Sequence, residues 1–330
     1  MTKVLFIGGT GIISSACAPE ALGRGMDVTF LNRGSSFRPA PQGARLLAGD
    51  IRNPASVHQV LKDEQFDVVV EWVAYTPKHV QTDLELFKGR TNQYIFISSA
   101  SAYHKPVTSL PITESTPLHN PWWQYSRDKI ACEDLLMAAY RSDGFPITIV
   151  RPSHTYDKYT LPILGDYTTL ERMRQGKKVI IHGDGTSLWT LTHHKDFAKA
   201  FTGLLGNPRA IGEAYHITSD ESLTWNQIFA MLADALGVSL DAVHMSSEFI
   251  NAYLPEDGPG LLGDKAHSVI FDNTKIKRLV PDYVASIPFV QGAREMVAWF
   301  LQNRDKVTID QALDQRFEEM IAAYESASPG

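Results

Sequence analysis

A glycine-rich turn follows the first apolar segment of the chain and leads directly into a helical pattern. The segment is Lys3–Ser14 (KVLFIGGTGIIS), with glycines at positions 8, 9 and 11. A strand that ends in such a turn and continues as a helix begins a βαβ unit, and it presents backbone amides and a helix N-terminus to an anion. The segment therefore predicts a parallel sheet and a binding site for the pyrophosphate of a dinucleotide.

Apolar runs and helical spacing keep alternating as far as residue 151. Five runs are predicted strands: Val4–Ile7, Val28–Leu31, Val68–Trp72, Tyr94–Ile97 and Thr148–Val150. Three helices are predicted between them: Ser14–Leu22, Ala55–Lys62 and Arg127–Tyr140. Strands that helices cover on both faces are apolar throughout rather than alternating. The pattern thus predicts an α/β fold, a doubly wound parallel sheet of the Rossmann type.

The composition changes after Arg151, where residues 152–185 are rich in Pro, Gly and Tyr. We assign residues 1–151 to a dinucleotide-binding Rossmann domain and residues 152–330 mainly to a smaller α/β substrate lobe with closing helices. Segments at about 186–220 are expected to return to the first domain, because a strand pattern recurs there. Ser246–Ala266 contains Pro and several Gly, so it is predicted to be a flexible connection.

Charge and cysteine content restrict the setting and the partners. The formal charge of −6 disfavours nucleic acid or an anionic membrane as the main partner. Two cysteines cannot form a disulfide framework, which favours a reducing compartment. The first strand begins within three residues of the N-terminus, so no signal peptide is expected, and no apolar run is long enough for a membrane span. We expect a cytoplasmic protein with a small-molecule substrate, as a monomer or homodimer.

Tyr125 and Lys129 are four residues apart, which places them on one face of a helix. A tyrosine with a pKa near ~10 is a poor base at neutral pH, and a nearby ammonium and an oxidised nicotinamide both lower that pKa. Ser98 and Ser99 end the strand that precedes this helix, and a serine hydroxyl can hold the reacting oxygen. The alternative is an exposed polar pair without a function. Together the three residue types predict proton transfer beside a nicotinamide ring.

The order of several motifs resembles the short-chain dehydrogenase/reductase superfamily, in its extended or atypical branch, the NAD-dependent epimerase/dehydratase family. The motifs are GGTGIIS, GDIR (Gly49–Arg52), ISSASAY, YSRDK, RPSHTY (Arg151–Tyr156) and HHKDFA (His193–Ala198). The resemblance implies that Ser99, Tyr125 and Lys129 are catalytic. It implies a cofactor site formed by Gly8, Gly11, Ile12, Ile13, Asn32, Arg33, Asp50, Ile51, Val73, Ala74, Tyr75, Ser98, Tyr125, Lys129, Pro152 and Ser153. Substrate contacts are expected from Thr76, Ser99, His154, Tyr159 and Trp189, and no metal site is predicted.

The end of the second strand bears on the choice between NADP and NAD. An acidic residue there would bond the ribose hydroxyls and repel a 2′-phosphate. The chain has Asn32-Arg33-Gly34 instead, so a guanidinium is available for a phosphate. This favours NADP, while Asn32 could also bond the free hydroxyl of NAD. Asp50 is a candidate for the adenine amino group or, alternatively, an ordinary turn residue.

The chain departs from that family's pattern at two places. Trp189 stands where nucleotide-sugar members carry an arginine that binds the substrate diphosphate, and a tryptophan cannot pair with phosphate in that way. The alternative for Trp189 is a core residue. Pro77–Arg90 has room for only one brief helix, which weakens the expectation of a family-type dimer. Similar shortening occurs in atypical members, including chloroplast stem-loop-binding proteins.

These features predict an NAD(P)-dependent oxidoreductase or epimerase that acts on a secondary alcohol or ketone, of a sugar or sugar derivative. The alternative is a non-catalytic dinucleotide-binding or RNA-associated member of the same family. Simple dehydration is disfavoured, because dehydratases of this family carry Asp-Glu after the catalytic Ser or Thr, whereas this chain has Ala100-Ser101.

Overall fold

The computed structural model describes residues 1–34, 38–62 and 64–327. Among these residues, no helix combines the length and the apolar character that a membrane span requires. The strands are β1 Lys3–Ile7, β2 Asp27–Asn32, β3 Arg45–Ala48, β4 Phe66–Glu71, β5 Thr91–Ile97, β6 Ile147–Pro152, β7 His154–Tyr156, β8 Val179–His182, β9 Leu188–Trp189, β10 Leu191–His193, β11 Ala214–Ile217, β12 Leu223–Thr224 and β13 Ala242–Met245. The helices are α1 Ser14–Gly23, α2 Pro54–Leu61, α3 Pro77–Phe87, α4 Gln124–Asp143, α5 Asp166–Arg174, α6 His194–Thr202, α7 Trp225–Leu236, α8 Ser247–Tyr253, α9 Gly258–Gly260, α10 Thr274–Leu279, α11 Phe289–Gln302 and α12 Gln311–Ala327.

Seven parallel strands form the central sheet, in the order β3-β2-β1-β4-β5-β6-β11. The chain leaves β1 in one direction toward β2 and β3 and returns to the other side of β1 with β4. Open sheets of this kind bind ligands outside the carboxyl ends of the strands, at the point where the order reverses. The predicted α/β class and Rossmann-type sheet are confirmed, and the candidate site is expected beside the end of β1.

Both faces of the sheet are buried, as the apolar runs predicted. Alternate residues of β1 point to opposite sides: Val4 and Phe6 pack in one apolar cluster, whereas Leu5 and Ile7 pack in another. Helices α1 and α6 cover the first face, and α2, α3 and α4 cover the second. The five predicted strands and three predicted helices of this half are confirmed within a few residues.

Strand β3 was absent from the predicted strands, and the reason is its position. Arg45–Ala48 is an edge strand with mostly exposed side chains, so it lacks the continuous apolar run of the interior strands. At the opposite edge, β11 pairs with β6, with Ala214 opposite Ile149. The two strands are adjacent in the sheet although β7 to β10 lie between them in the chain.

Ser246–Ala266, predicted to be a flexible connection, contains ordered helical turns. Ser246 caps α8, its hydroxyl accepting from the Phe249 amide at 3.2 Å. Ile250 and Leu261 are buried in an apolar cluster with residues of α12. A short π-helix, Leu261–Lys265, follows α9. Burial of these apolar side chains orders the segment despite its Pro and Gly content. The segment also forms part of the wall of a cavity that Gly8 and Tyr125 line.

Candidate active site

Two cavities join at the carboxyl end of β1 and form one continuous cleft. Their volumes are about 470 Å³ and about 500 Å³. Both are lined by Gly8, Gly11, Val73 and Tyr75, so they meet at the glycine turn. One cavity extends toward the end of β2, and the other extends toward α4 and the residues that follow β6. An elongated cleft that bends over a glycine turn has the form that a dinucleotide requires.

The glycine turn is shaped by close packing that excludes larger residues. Gly8 has φ +94°, and a Cβ atom there would lie 2.5 Å from Cγ1 of Val73. A Cβ at Gly9 would lie 2.4 Å from the Phe30 ring. The Gly11 amide donates to the Ser14 hydroxyl at 2.8 Å. The turn thus brings bare backbone to the start of α1, which fits a pyrophosphate group.

The cavity beside β2 contains the residues predicted for the adenosine half of the cofactor. Asn32, Arg33, Asp50 and Ile51 all line it. The Asn32 side-chain oxygen accepts from the Gly34 amide at 3.0 Å, and the Asp50 carboxylate accepts from the Arg52 amide at 2.9 Å. These bonds hold the turns at the ends of β2 and β3. Arg33 is exposed at the rim of the cavity.

A second guanidinium, that of Arg52, lines the same cavity but is already engaged. Its Nη2 donates to the Val73 carbonyl at 2.6 Å and lies 3.7 Å from the buried Glu71 carboxylate. Arg52 therefore holds the segment after β4, while its Nη1 is buried and has no hydrogen-bond partner within the described residues.

Lys129 lines the cavity that Tyr125 also lines, and two backbone carbonyls hold its ammonium. Its Nζ donates to the oxygens of Ala74 and Ile97, each at 2.7 Å. An ammonium has three N–H donors, so one more remains for a ligand in the cleft. Burial lowers the pKa of Lys129 to about 8. Ala74 itself does not line the cavities, and its contribution is this carbonyl.

Tyr125 projects into the same cavity from the first turn of α4. Burial raises its pKa to about 12, and a hydrogen bond with Ser99 acts in the opposite direction. The sequence argument expected the ammonium of Lys129 to lower this pKa, but Lys129 Nζ is 5.7 Å from the centre of the ring. Among the protein's own groups, desolvation outweighs that attraction. Tyr125 is consequently a protonated phenol at neutral pH.

Ser98, Pro152 and Ser153 also line the cavity, as predicted. The Ser98 hydroxyl is buried and has no hydrogen-bond partner within the described part of the chain. Buried hydroxyls are almost always paired in native proteins. An unpaired hydroxyl on a cavity wall is therefore consistent with a ligand that supplies its partner.

His154 and Trp189 form a pair on the substrate side of the cavity. The indole Nε1–H of Trp189 donates to Nδ1 of His154 at 3.1 Å. Burial lowers the pKa of His154 to about 3, so the ring is neutral. Because Nδ1 accepts, the ring proton is on Nε2, and His154 is a hydrogen-bond donor with a fixed tautomer. Trp189 is both a buried residue and part of the wall, which combines the two interpretations left open by the sequence.

The part of the cavity lined by His154, Trp189, Trp123, Asp264 and Lys265 is called the substrate wall. The last three of these residues were not predicted from the sequence. Asp264 and Lys265 come from the π-helix, and Trp123 precedes α4. Asp264 is paired with the fully buried Lys105, whose Nζ is 3.3 Å from its carboxylate. Lys265 Nζ lies 5.8 Å from the centre of the Trp123 ring. No local motif marks these residues, because the fold brings them together from distant segments.

Two predicted substrate residues lie away from the cavity. Thr76 precedes α3 as its N-terminal flanking residue and is not part of either wall. Tyr159 packs its ring edge against Trp299, with centroids 5.0 Å apart, and the adjacent Thr160 lines the cavity instead. The structure therefore does not bring Thr76 or Tyr159 to the site.

The chain belongs to the NAD dependent epimerase/dehydratase family, whose sequence model matches residues 4–218. It is an enzyme of the extended short-chain dehydrogenase/reductase type, as the motif order indicated.

Two relatives and one solved structure illustrate the range of this similarity. The chain is 26% identical over 284 residues to 2′-dehydrokanamycin reductase of Streptomyces kanamyceticus, covering 85% of this chain and 80% of the relative. It is 27% identical over 248 residues to chloroplast stem-loop binding protein of 41 kDa b of Arabidopsis thaliana, covering 71% of this chain and 63% of the relative. UDP-glucose 4-epimerase of Bifidobacterium longum, solved with NAD+ and UDP, aligns with a TM-score of 0.75 and 19% identity, covering 93% of this chain and 100% of that chain. This structural match supports the fold.

Proposed function

We propose that the protein is an NAD(P)-dependent oxidoreductase that reduces a ketone of a sugar or sugar derivative, with epimerisation at the same carbon as the closest alternative reaction. The observation that carries the proposal is the position of Tyr125. Its ring lines the same cavity as Ser99, with Lys129 Nζ 5.7 Å from the ring centre, and that cavity shares its glycine-turn wall with the cavity beside β2. Proton-transfer groups at one end of a dinucleotide-shaped cleft are what a carbonyl reduction needs.

Each of the three side chains has a separate part in the proposed reaction. When bound, a reduced nicotinamide would supply the hydride for the carbonyl carbon. Tyr125 then gives its phenolic proton to the oxygen, since a pKa of about 12 keeps the proton on Tyr125 until the oxygen becomes more basic. Ser99 donates a hydrogen bond to the same oxygen. Lys129 uses its third N–H to hold the cofactor, because two are occupied by Ala74 and Ile97.

The substrate end of the cavity favours a polar ring compound. Trp123 and Trp189 offer apolar faces and edges of the kind on which sugars pack. His154 supplies an N–H donor, and Asp264 and Lys265 supply groups of opposite charge at the same wall. The similarity to a relative named 2′-dehydrokanamycin reductase, over 85% of this chain, supports a sugar ketone in particular.

We further propose a preference for NADPH over NADH. Arg33 is exposed at the rim where a 2′-phosphate would lie, and Asn32 stands in place of a carboxylate that would repel it. The Nη2 of the neighbouring Arg52 is bound to the Val73 carbonyl, so only its Nη1 would remain for a phosphate.

The direct test is a turnover assay on purified protein. NADPH and NADH are each offered with 2′-dehydrokanamycin and with a panel of keto-sugars, and UDP-glucose and UDP-galactose are tested for interconversion. We expect consumption of NADPH that requires a keto-sugar and that Tyr125→Phe abolishes. Interconversion of the UDP-sugars without added cofactor would instead establish the epimerase. Cofactor binding with no turnover of any sugar would contradict the proposal.

A second candidate is binding of an RNA stem-loop, which rests on the similarity to the chloroplast stem-loop binding protein. The net charge of −6 opposes it. A titration of labelled stem-loop RNA at several salt concentrations decides the matter. Binding that weakens steeply as salt rises would support this candidate, because phosphate contacts release counterions.

A further inference from the structure

Three serine side chains lie in a row behind the proposed reacting oxygen. The hydroxyl oxygens of Ser126 and Ser101 are 2.8 Å apart, and those of Ser101 and Ser99 are 2.9 Å apart. Ser126 follows Tyr125 on α4, whereas Ser101 lies in the short helical turn after β5. Both Ser126 and Ser101 are buried, with exposed fractions of 0% and 2%. Water therefore does not compete for these hydroxyls, and their protons must be shared among protein groups.

The direction of the hydrogen bonds follows from counting donors and acceptors. A serine hydroxyl has one O–H donor and two acceptor lone pairs. Ser126 donates to the Ser101 oxygen. If Ser99 also donated to Ser101, the proton of Ser101 would have no acceptor within the described part of the chain. The arrangement that uses every proton has Ser101 donating to Ser99.

The hydroxyl proton of Ser99 therefore points away from Ser101 and Ser126. Its oxygen already accepts from the Ser101 amide at 3.2 Å, and it accepts the Ser101 hydroxyl at 2.9 Å. Both lone pairs are thus occupied. The remaining O–H of Ser99 is therefore available to an acceptor in the cavity that Ser99 and Tyr125 both line.

The row is held in place by the backbone around it. The side-chain amide of Asn120 donates to the Ser101 carbonyl at 2.9 Å and to the Gly263 carbonyl at 2.6 Å. A Cβ atom at Gly263 would lie 2.8 Å from the Asn120 oxygen, so this contact is close-packed. Asn120 therefore ties the Ser101 backbone to the π-helix that carries Asp264, which fixes the position of Ser101 beside Ser99.

We infer that Ser126, Ser101 and Ser99 form a directed hydrogen-bond chain, in which Ser101 is a positioning residue that aims and polarises the Ser99 hydroxyl toward the reacting oxygen. Successive hydrogen bonds polarise one another, so a donor that itself accepts is a stronger donor. The inference rests on the proposed function for the identity of that oxygen. The direction of the chain does not depend on it.

The direction can be observed without a substrate. Neutron diffraction from deuterium-exchanged crystals of the full-length protein locates the deuterium on each hydroxyl. We expect density from Ser126 toward Ser101, from Ser101 toward Ser99, and from Ser99 into the cavity that Tyr125 also lines. A deuterium on Ser99 that points at Ser101 would overturn the inference, whatever reaction the protein catalyses.

The positioning role is tested by a double-mutant cycle in the NADPH-dependent reduction. Ser101→Ala is expected to lower kcat about tenfold, the effect of one hydrogen bond, with little change in KM. Ser101→Thr keeps the hydroxyl and should restore most of kcat. In a Ser99→Ala background, Ser101→Ala should cost nothing further, because Ser101 acts through Ser99.

Equal losses from Ser101→Ala in both backgrounds, or no loss in the wild-type background, would overturn the positioning role. Thermal melting and NADPH affinity of each variant show whether it folds. Absence of any turnover by the wild-type protein counts against the proposed function alone, and the neutron map then still decides the direction of the chain.

Discussion

The dinucleotide cleft and the substrate wall meet at Tyr125, but the chain assembles them differently. The cleft is formed by the ends of successive parallel strands, so its parts are short segments such as Gly8–Gly11 and Val73–Tyr75. The wall is formed by single side chains from distant segments, such as His154, Trp189 and Lys265. The first depends on backbone geometry that the topology imposes. The second depends on individual side chains, which can change without changing the fold.

This contrast predicts two kinds of mutant phenotype. Substitutions in the cleft should alter cofactor affinity or abolish the reaction, whereas substitutions in the wall should alter KM for the sugar and leave cofactor affinity unchanged.

Tyr125→Phe, at the junction of the two regions, should have the largest effect. It removes the proton donor and keeps the ring, so kcat should fall about 10³-fold, within the range for loss of a general acid. The dissociation constant for NADPH, measured by fluorescence titration, should remain within a few-fold of wild type. Tyr159→Phe is the matched control, because Tyr159 lies outside the cavity and should keep nearly full activity. Comparable losses in both variants would contradict the assignment.

Lys129→Met should weaken cofactor binding and turnover together, by about 10²-fold in kcat/KM, since it removes a charged hydrogen bond and the support of the cleft floor. Ala74 and Ile97 would lose their donor, so a calorimetric titration with NADPH should show the weaker affinity directly. Unchanged NADPH affinity with lost activity would place Lys129 on the substrate side instead.

The same variant gives a stability test with a defined sign. Lys129 has its pKa lowered to about 8, below its value of 10.5 in the unfolded chain. The folded protein therefore loses this proton first, and between those two pH values the unfolded state binds more protons. The free energy of unfolding of wild type relative to Lys129→Met should rise across this interval, by at most about 3 kcal/mol. Denaturant titrations at several pH values measure it, and a fall would contradict the burial of this ammonium.

Arg33→Glu should reverse the cofactor preference without changing the chemistry. Loss of a charge-assisted bond to the 2′-phosphate, together with repulsion, should raise KM for NADPH about 10- to 100-fold, while KM for NADH falls or stays constant. Arg141→Glu makes the same charge change at the exposed end of α4, near the opposite edge of the sheet, and controls for net charge. Equal responses of both cofactors would remove the case for NADPH.

Trp189→Phe should have the smallest effect and should affect the wall alone. It keeps an aromatic ring but removes the N–H that fixes the tautomer of His154. Loss of this hydrogen bond should raise KM for the sugar about tenfold. NADPH affinity should not change. His154 should add no ionisation to the pH profile of kcat/KM above pH 5 in either protein, because its pKa is about 3. A change in NADPH affinity would mean that the two regions are not independent.

The same contrast explains which features the sequence could predict. Strands β1, β2, β4, β5 and β6 have continuous apolar runs, and the glycine turn and Tyr125–Lys129 spacing are local patterns, so they were predicted closely. Strand β3 was missed because an exposed edge carries no such run.

The substrate wall was predicted less well for a physical reason. Asp264 and Lys265 reach the cavity only because a capped helix and buried leucines order a segment rich in Pro and Gly. Thr76 and Tyr159 are adjacent in sequence to cleft residues, but backbone direction turns them away. Burial raises the pKa of Tyr125 in the protein alone, and the sequence could not indicate this because the extent of burial is a property of the folded chain.

The central claim is that a hydride passes between a nicotinamide and a sugar carbon beside Tyr125. The most direct measurement is a single turnover with reduced cofactor that carries deuterium on the transferred position of C4 and a keto-sugar that the enzyme accepts, followed by mass spectrometry of the product. The account predicts one deuterium on the new carbinol carbon with wild type, formed far more slowly with Tyr125→Phe. Product that contains no deuterium from the cofactor would contradict it.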